Sequence, residues 1–276
     1  MTDGLAQSEA TIRVIVFVAI FGGMAVFELW SPRLERAEMR GALKARRWFT
    51  NLSMVVLSSV MLRIAFPAAA VGTALWAETR GYGLLRLAGL DGIAAGLIAF
   101  VVLDFAVWLE HVASHKIPIF WRIHRMHHAD TGFDVTTGLR FHPLEILLSM
   151  AWKAAVVIAL GAPVLSVLVF EIVLNGMSMF NHANARLPLP LDRVLRLVLV
   201  TPDMHRVHHS AIPSETDSNY GFNFPFWDRL FGTYAGQPRA GHDALDIGLA
   251  EYRGDSPNRL RWALLLPFRN SNGSDQ

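Results

Sequence analysis

Residues 92–128 read GIAAGLIAFVVLDFAVWLEHVASHKIPIFWRIHRMHH. The first half, to about residue 109, is an apolar run close to the roughly 20 residues a helix needs to cross a bilayer. The second half carries His111-Val-Ala-Ser-His115 and His124-Arg-Met-His127-His128. A third cluster, His205-Arg-Val-His208-His209, has the spacing of the second. On a helix, positions i, i+3 and i+4 share a face. Each cluster can therefore aim two or three imidazoles at one point. Histidine is the commonest metal ligand among side chains that titrate near neutral pH. Eight such rings exceed what one ion holds. They suit two metals, each with positions left open for water, oxygen or substrate.

The rest of the chain reads the same way. It is 53% hydrophobic and only 17% charged, with a mean hydropathy of +0.34. A soluble domain carries about 25% charged residues. Residues 11–30 form a first span, without the basic start and small-residue cleavage site of a removed signal peptide. Residues 52–76 form a second, interrupted by Arg63 and Pro67, so a kinked helix and a broken pair both remain open. Residues 144–160 and 163–179, separated by Gly161-Ala162, read as a tight helical hairpin. Period-2 alternation is not sustained, which argues against a β-barrel. The expected fold is all-α: four to five transmembrane helices with a cytoplasmic helical cap holding two metals.

Topology comes from Lys and Arg. The connection after the first span holds Arg33, Arg36, Arg40, Lys44, Arg46 and Arg47; the one after the second holds Arg80 and Arg86. The positive-inside rule puts the first connection in the cytoplasm. Counting onward, all 11 histidines fall on the cytoplasmic side. The chain has no cysteine, so any metal must use His, carboxylate or water. A net charge of +2 gives nucleic-acid binding no support.

Other readings are weaker. A lone His in a membrane protein is commonly a hydrogen-bonded interfacial residue, and one HxxxH pair is a poor signal. Two HxxHH patterns and an HxxxH on one face are another matter. Zinc peptidases carry HExxH, which is absent. Membrane cytochromes need separated axial His on neighbouring spans. Imidazole by itself suits zinc, iron and copper alike. The alternative function is a His-rich metal transporter or metal-binding protein, but a transporter places its ligands near the midplane, not at span ends.

The pattern HVASH, HRMHH, TPDMHRVHH and NYGFNFPFWDRLFGTY resembles the fatty acid hydroxylase (sterol desaturase) superfamily over residues 104–234. Among its branches the spacing is similar to alkylglycerol monooxygenase-like members. The resemblance implies an oxidoreductase that hydroxylates or desaturates a lipid, such as a sterol, fatty acyl chain or ether lipid. It implies two iron ions (zinc being possible in isolated protein) and O2 as co-substrate. By residue, it implies ligation by His111, His115, His124, His127, His128, His205, His208 and His209, joined by His182. His142, Asp203 and Asp228 are expected as supporting residues around the ligands, with Asp104, Glu110 and Asp130 as further acceptors for the second ring nitrogens. His242 is expected as a solvated loop residue. Trp227-Asp228-Arg229 reads as an aromatic belt with an ion pair, and residues 259–268 lie either on the leaflet or packed against the catalytic region. Expected partners are the membrane, the lipid and a separate electron donor of the cytochrome b5, ferredoxin or reductase type. The expected organisation is an N-terminal membrane part over 1–91, a catalytic region over 92–236 and a C-terminal tail over 237–276. The expected location is a bacterial inner membrane.

Overall fold

A computed structural model describes residues 2–35 and 39–269, with side chains from residue 11 onward. Arg36 of the basic connection and residues 270–276 of the tail lie outside the described residues. The long helices are α1 (Thr2–Trp30), α2 (Gly41–Ala65), α3 (Ala69–Arg80), the single turn α4 (Leu84–Leu87) and α5 (Gly92–Lys116). Then come α6 (Pro118–His128), α7 (Pro143–Leu160) and α8 (Val164–Asn181). Short helices follow: α9 (Leu189–Leu195), α10 (Pro202–His208), α11 (Pro213–Thr216), α12 (Phe226–Leu230) and α13 (Leu260–Leu265). No strand occurs among the described residues beyond two isolated bridges.

Five segments are long and apolar enough to cross a bilayer: Thr11–Trp30, Gly41–Leu87, Gly92–Lys116, Pro143–Leu160 and Val164–Asn181. Large apolar side chains such as Val18, Ile64, Ile93 and Leu165 stand exposed on their outer faces. That surface would be costly in water and is the expected lipid-facing one. The protein is an all-α integral membrane protein, with five candidate spans among the described residues.

The second span is a broken pair. Pro67 disfavours helical backbone at Phe66, which sits at φ −131°, ψ 71°, and the helix restarts at Ala69. α2 and α3 run parallel to α7. Ser58 of α2 reaches the Phe141 carbonyl just before α7 begins, and Gly83 meets Gly161 just past its end. A Cβ on Gly83 would lie 2.2 Å from the Gly161 backbone, so only glycine fits this corner. Small residues bring the helices together elsewhere: Ala70, Ala74, Ala95 and Ala99 pack with Leu103, Val157 and Phe170.

The opposite end of the bundle is tied by polar contacts. Glu28 Oε1 accepts from Val135 N at 2.6 Å and Asn184 N at 2.7 Å. Arg47 is fully buried, paired with Asp134 and 3.5 Å from Asp130. Residues 256–268 wrap α6. Arg125 Nη2 donates to the Leu266 carbonyl at 2.8 Å, and Arg122 Nε to that of Pro267 at 3.1 Å. Trp262, Ala263 and Leu266 bury against Met54 and Met126. Of the two placements open for residues 259–268, the packed one holds, with Leu265 and Phe268 left exposed on its outer side.

Candidate metal centre

Nine histidines converge at this end. His111 and His115 occupy the last turns of α5. Pro118 starts α6 directly after the turn at Ile117, and α6 returns His124, His127 and His128 to the same point. His182 caps α8. His205 and His208 lie on α10, and His209 is its C-cap.

They form two groups, each with its ligand atoms within 4.8 Å of one another: His111, His115, His124, His128 and His208; and His127, His182, His205 and His209. The two HxxHH clusters are used crosswise. In the α6 cluster, His124 and His128 (i, i+4) enter the five-His cage and His127 the four-His cage. In the α10 cluster, His205 and His209 enter the four-His cage and His208 the five-His cage. One turn of each helix therefore stitches both cages together.

The donor chemistry fits metal cations. His182 and His127 place Nδ1 on the carbonyls of Ser178 (2.7 Å) and Arg140 (3.2 Å). With Nδ1–H donating, each Nε2 is a bare lone pair. Yet His182 Nε2 lies 3.2 Å from His127 Nε2, 3.1 Å from His205 Nε2 and 3.2 Å from His209 Nε2. Two bare lone pairs so close repel unless a cation lies between them. In the other cage, His124 Nε2 is 3.1 Å from His128 Nε2, and the Nε2 atoms of His111, His115 and His208 are buried without a protein partner. Burial also keeps several of these rings in the neutral, metal-binding form. It pushes His127, His128, His205 and His209 well below the ordinary imidazole value, and His182 and His208 down to about 3.

Six of the second ring nitrogens have a protein acceptor, four of them a backbone carbonyl. His111 Nδ1 meets the Tyr220 carbonyl and His208 Nδ1 that of Ser218, each at 2.6 Å. Among the described residues, two carboxylates serve. Glu145 Oε1 lies 2.6 Å from His124 Nδ1, and Asp217 Oδ1 lies 3.3 Å from His115 Nδ1. Such acceptors fix ring orientation and raise ligand basicity.

The carboxylates expected in this role are placed elsewhere. Asp104 accepts from Trp227 Nε1, Glu110 from Ser149 Oγ, and Asp130 from Asn51 and Thr137. Asp203 pairs with Arg33 and Arg206. Asp228 accepts from Trp108 Nε1 and from the amides of Tyr220 and Gly221, so it shapes the loop whose carbonyl receives His111. No ion pair joins it to Arg229, which caps the carbonyls of Arg196 and Leu197. His142 caps α7, accepting from Leu144 N at 3.1 Å, with its other nitrogen on the Leu264 carbonyl. His242 is buried rather than solvated, because the C-terminal chain folds it to 3.7 Å from Asp203. Sequence reading passed over Glu145 and Asp217. Glu145 lies three residues past His142 but 21 residues from His124, and only the return of α7 brings it there.

A cavity of about 490 Å³ opens beside the five-His cage. His111, His124, Phe141 and Phe222 line its upper end, and it descends between α1, α2, α5, α7 and α8. Phe141 also stacks on His127 with ring centroids 4.5 Å apart. This volume suits a lipid-sized ligand.

A membrane-helix bundle with two all-histidine cages above a mainly apolar chamber defines an integral-membrane protein whose histidine clusters could hold metal ions. Residues 96–233, half of the chain, match the family model described as fatty acid hydroxylase, and the chain belongs to that family. It is 32% identical over 154 residues to an ornithine lipid hydroxylase, OlsE, of Rhizobium tropici, covering 55% of this chain and 45% of that protein. It is 33% identical over 139 residues to the alkylglycerol monooxygenase of Xenopus tropicalis, covering 50% and 30%. It is 31% identical over 155 residues to a cholesterol 25-hydroxylase-like protein of Danio rerio, covering 55% and 57%. The matched region thus spans less than two thirds of each of these relatives. No solved structure matches the chain.

Proposed function

We propose that this protein is a membrane-bound lipid hydroxylase whose two cages hold two iron ions. The carrying observation is the convergence of nine imidazoles, with Nε2 atoms 3.1–3.2 Å apart, at the mouth of a lipid-sized chamber. His111, His115, His124, His128 and His208 hold one ion; His127, His182, His205 and His209 hold the other. The cages would also accept zinc; iron is favoured because the relatives are named as hydroxylases and monooxygenases. Bound there, iron supplies the redox chemistry by which O2 oxidises an unactivated C–H bond. The balanced reaction consumes the C–H compound, O2, two electrons and two protons, and yields the alcohol and water.

The chain's own residues prepare that reaction. The chamber excludes water and presents an extended chain to the cage through His111 and His124. Phe141 and Phe222 flank the reacting position. Carbonyls of residues 140, 178, 218 and 220, with Glu145 and Asp217, hold six of the nine rings with Nε2 inward. The reducing partner is a separate protein, and the Lys and Arg asymmetry favours the cytoplasmic side for the cages. Hydroxylation is favoured over desaturation because the relatives are hydroxylases by name.

Comparative lipid mass spectrometry of cells with and without the protein tests the reading. A lipid shifted by +16 mass units is expected only when the protein is present. Purified protein that holds iron yet oxidises no lipid with a competent reductase would overturn it.

A further inference from the structure

The lower part of the chamber is charged, and nothing in the metal chemistry needs that charge. Glu171 of α8 is buried, its side chain 3% exposed. Lys153 of α7 donates Nζ to Glu171 Oε1 at 3.1 Å, and Arg13 of α1 brings Nη1 to 2.7 Å from Oε2. All three side chains line the chamber. Glu171 lies eleven residues before His182 on α8, so the cluster sits about 16 Å below the cages along the helix axis. That is well inside the span. An ionised group at such depth is costly and marks a ligand or ion path by default.

Lys153 is the group that points to a ligand. An ammonium has three N–H donors. Glu171 engages one and is itself shared with Arg13. Glu110, the other acid facing Lys153, is held by Ser149 Oγ at 3.1 Å, one helical turn nearer the cages. Lys153 therefore offers donors to a chamber whose walls above it are mainly apolar. Asn175 and Ser149, each one turn closer to the cages on α8 and α7, continue a polar edge along the wall.

We propose that Lys153, positioned by Glu171 and Arg13, seats the carboxylate of a long-chain lipid inside the chamber. The inference rests on the lipid-oxidising reading of the same chamber and adds the chemistry of one end of its ligand. The carboxylate at Lys153 leaves the hydrocarbon chain running upward to His111 and His124. The roughly 16 Å between seat and cage then sets which carbons can be oxidised.

The test is a binding measurement that needs neither O2 nor reductant. Iron-loaded full-length protein, at alkaline pH where the acid is ionised, is titrated with oleic acid, oleyl alcohol or methyl oleate against a fluorescent fatty acid. Oleic acid is expected to displace the probe about tenfold or more better than the alcohol and the ester, the scale of one hydrogen bond between charged groups. Lys153→Met removes the preference and Lys153→Arg keeps it. Equal displacement by all three compounds in the wild type overturns the proposal, whether or not the Met variant folds. So does a preference that survives in Lys153→Met. A purely structural α7–α8 clamp would lower thermal stability in the Met variant and leave the three compounds alike. Iron content and the +16 product test the hydroxylase reading separately, so the two can fail independently.

Discussion

At the residue scale, the two cages make different predictions for different histidines of one cluster. His205→Ala removes a ring from the four-His cage and His208→Ala one from the five-His cage, three residues away. Each variant is expected to lose metal from its own cage first. Metal analysis should then show bound metal falling from two ions to one per chain, with lipid oxidation abolished in both. Glu145→Gln keeps the shape but removes the charge on His124 Nδ1. It is expected to weaken metal binding roughly 10–100-fold, read by competition with a chelator.

Proton linkage also acts at this scale. Burial holds His182 and His208 at about 3 in the folded protein, against an ordinary 6.5. The unfolded chain takes up protons below about 6.5 while the folded chain does not. Their contribution to stability is therefore present above that value and is lost as the pH falls from 6.5 toward 3. Each group can cost up to about 1.4 kcal/mol per pH unit over that window. The thermal midpoint of metal-free protein should drop steeply between pH 7 and 5. A flat profile would show that the rings are not held neutral by burial.

At the scale of elements, the histidine spacing carries the stitch between cages. An i, i+4 pair serves one ion and the i+3 ring the other only because both segments are helical. Local signals in the sequence placed the elements well. Pro67 broke the second span where the sequence left a kink and a break both open, and Gly161 ended α7 with a left-handed cap at φ +65°. The polar lock at Arg47 was not legible. Arg47 counts toward the basic connection in the sequence, yet it is fully buried against Asp130 and Asp134. Arg47→Met leaves these carboxylates unpaired in the interior. Such a loss costs about 3–5 kcal/mol, to be checked by thermal unfolding in detergent.

At the scale of the whole molecule, the five spans put every described histidine at one end of the bundle. The membrane side of that end is a prediction. Reporter fusions after residue 269 and after residue 89 should report opposite compartments, cytoplasmic for the first. A periplasmic signal from the C-terminal fusion would invert the topology and move the reductant to the other side.

Sequence by itself determined the spans, their apolar character and the histidines that could meet. Those features are local: hydropathy is summed over one segment, and helical spacing is set within one turn. Tertiary structure decided which ring joins which cage, because that depends on how α5, α6, α8 and α10 approach one another. It decided that backbone carbonyls, Glu145 and Asp217 orient the rings, while Asp104, Glu110, Asp130, Asp203 and Asp228 bind elsewhere. It also brought Arg13, Lys153 and Glu171 from three helices into one chamber. A carboxylate near a cluster in sequence need not be near it in space, since a helix turns successive side chains away from one another and only packing returns distant ones.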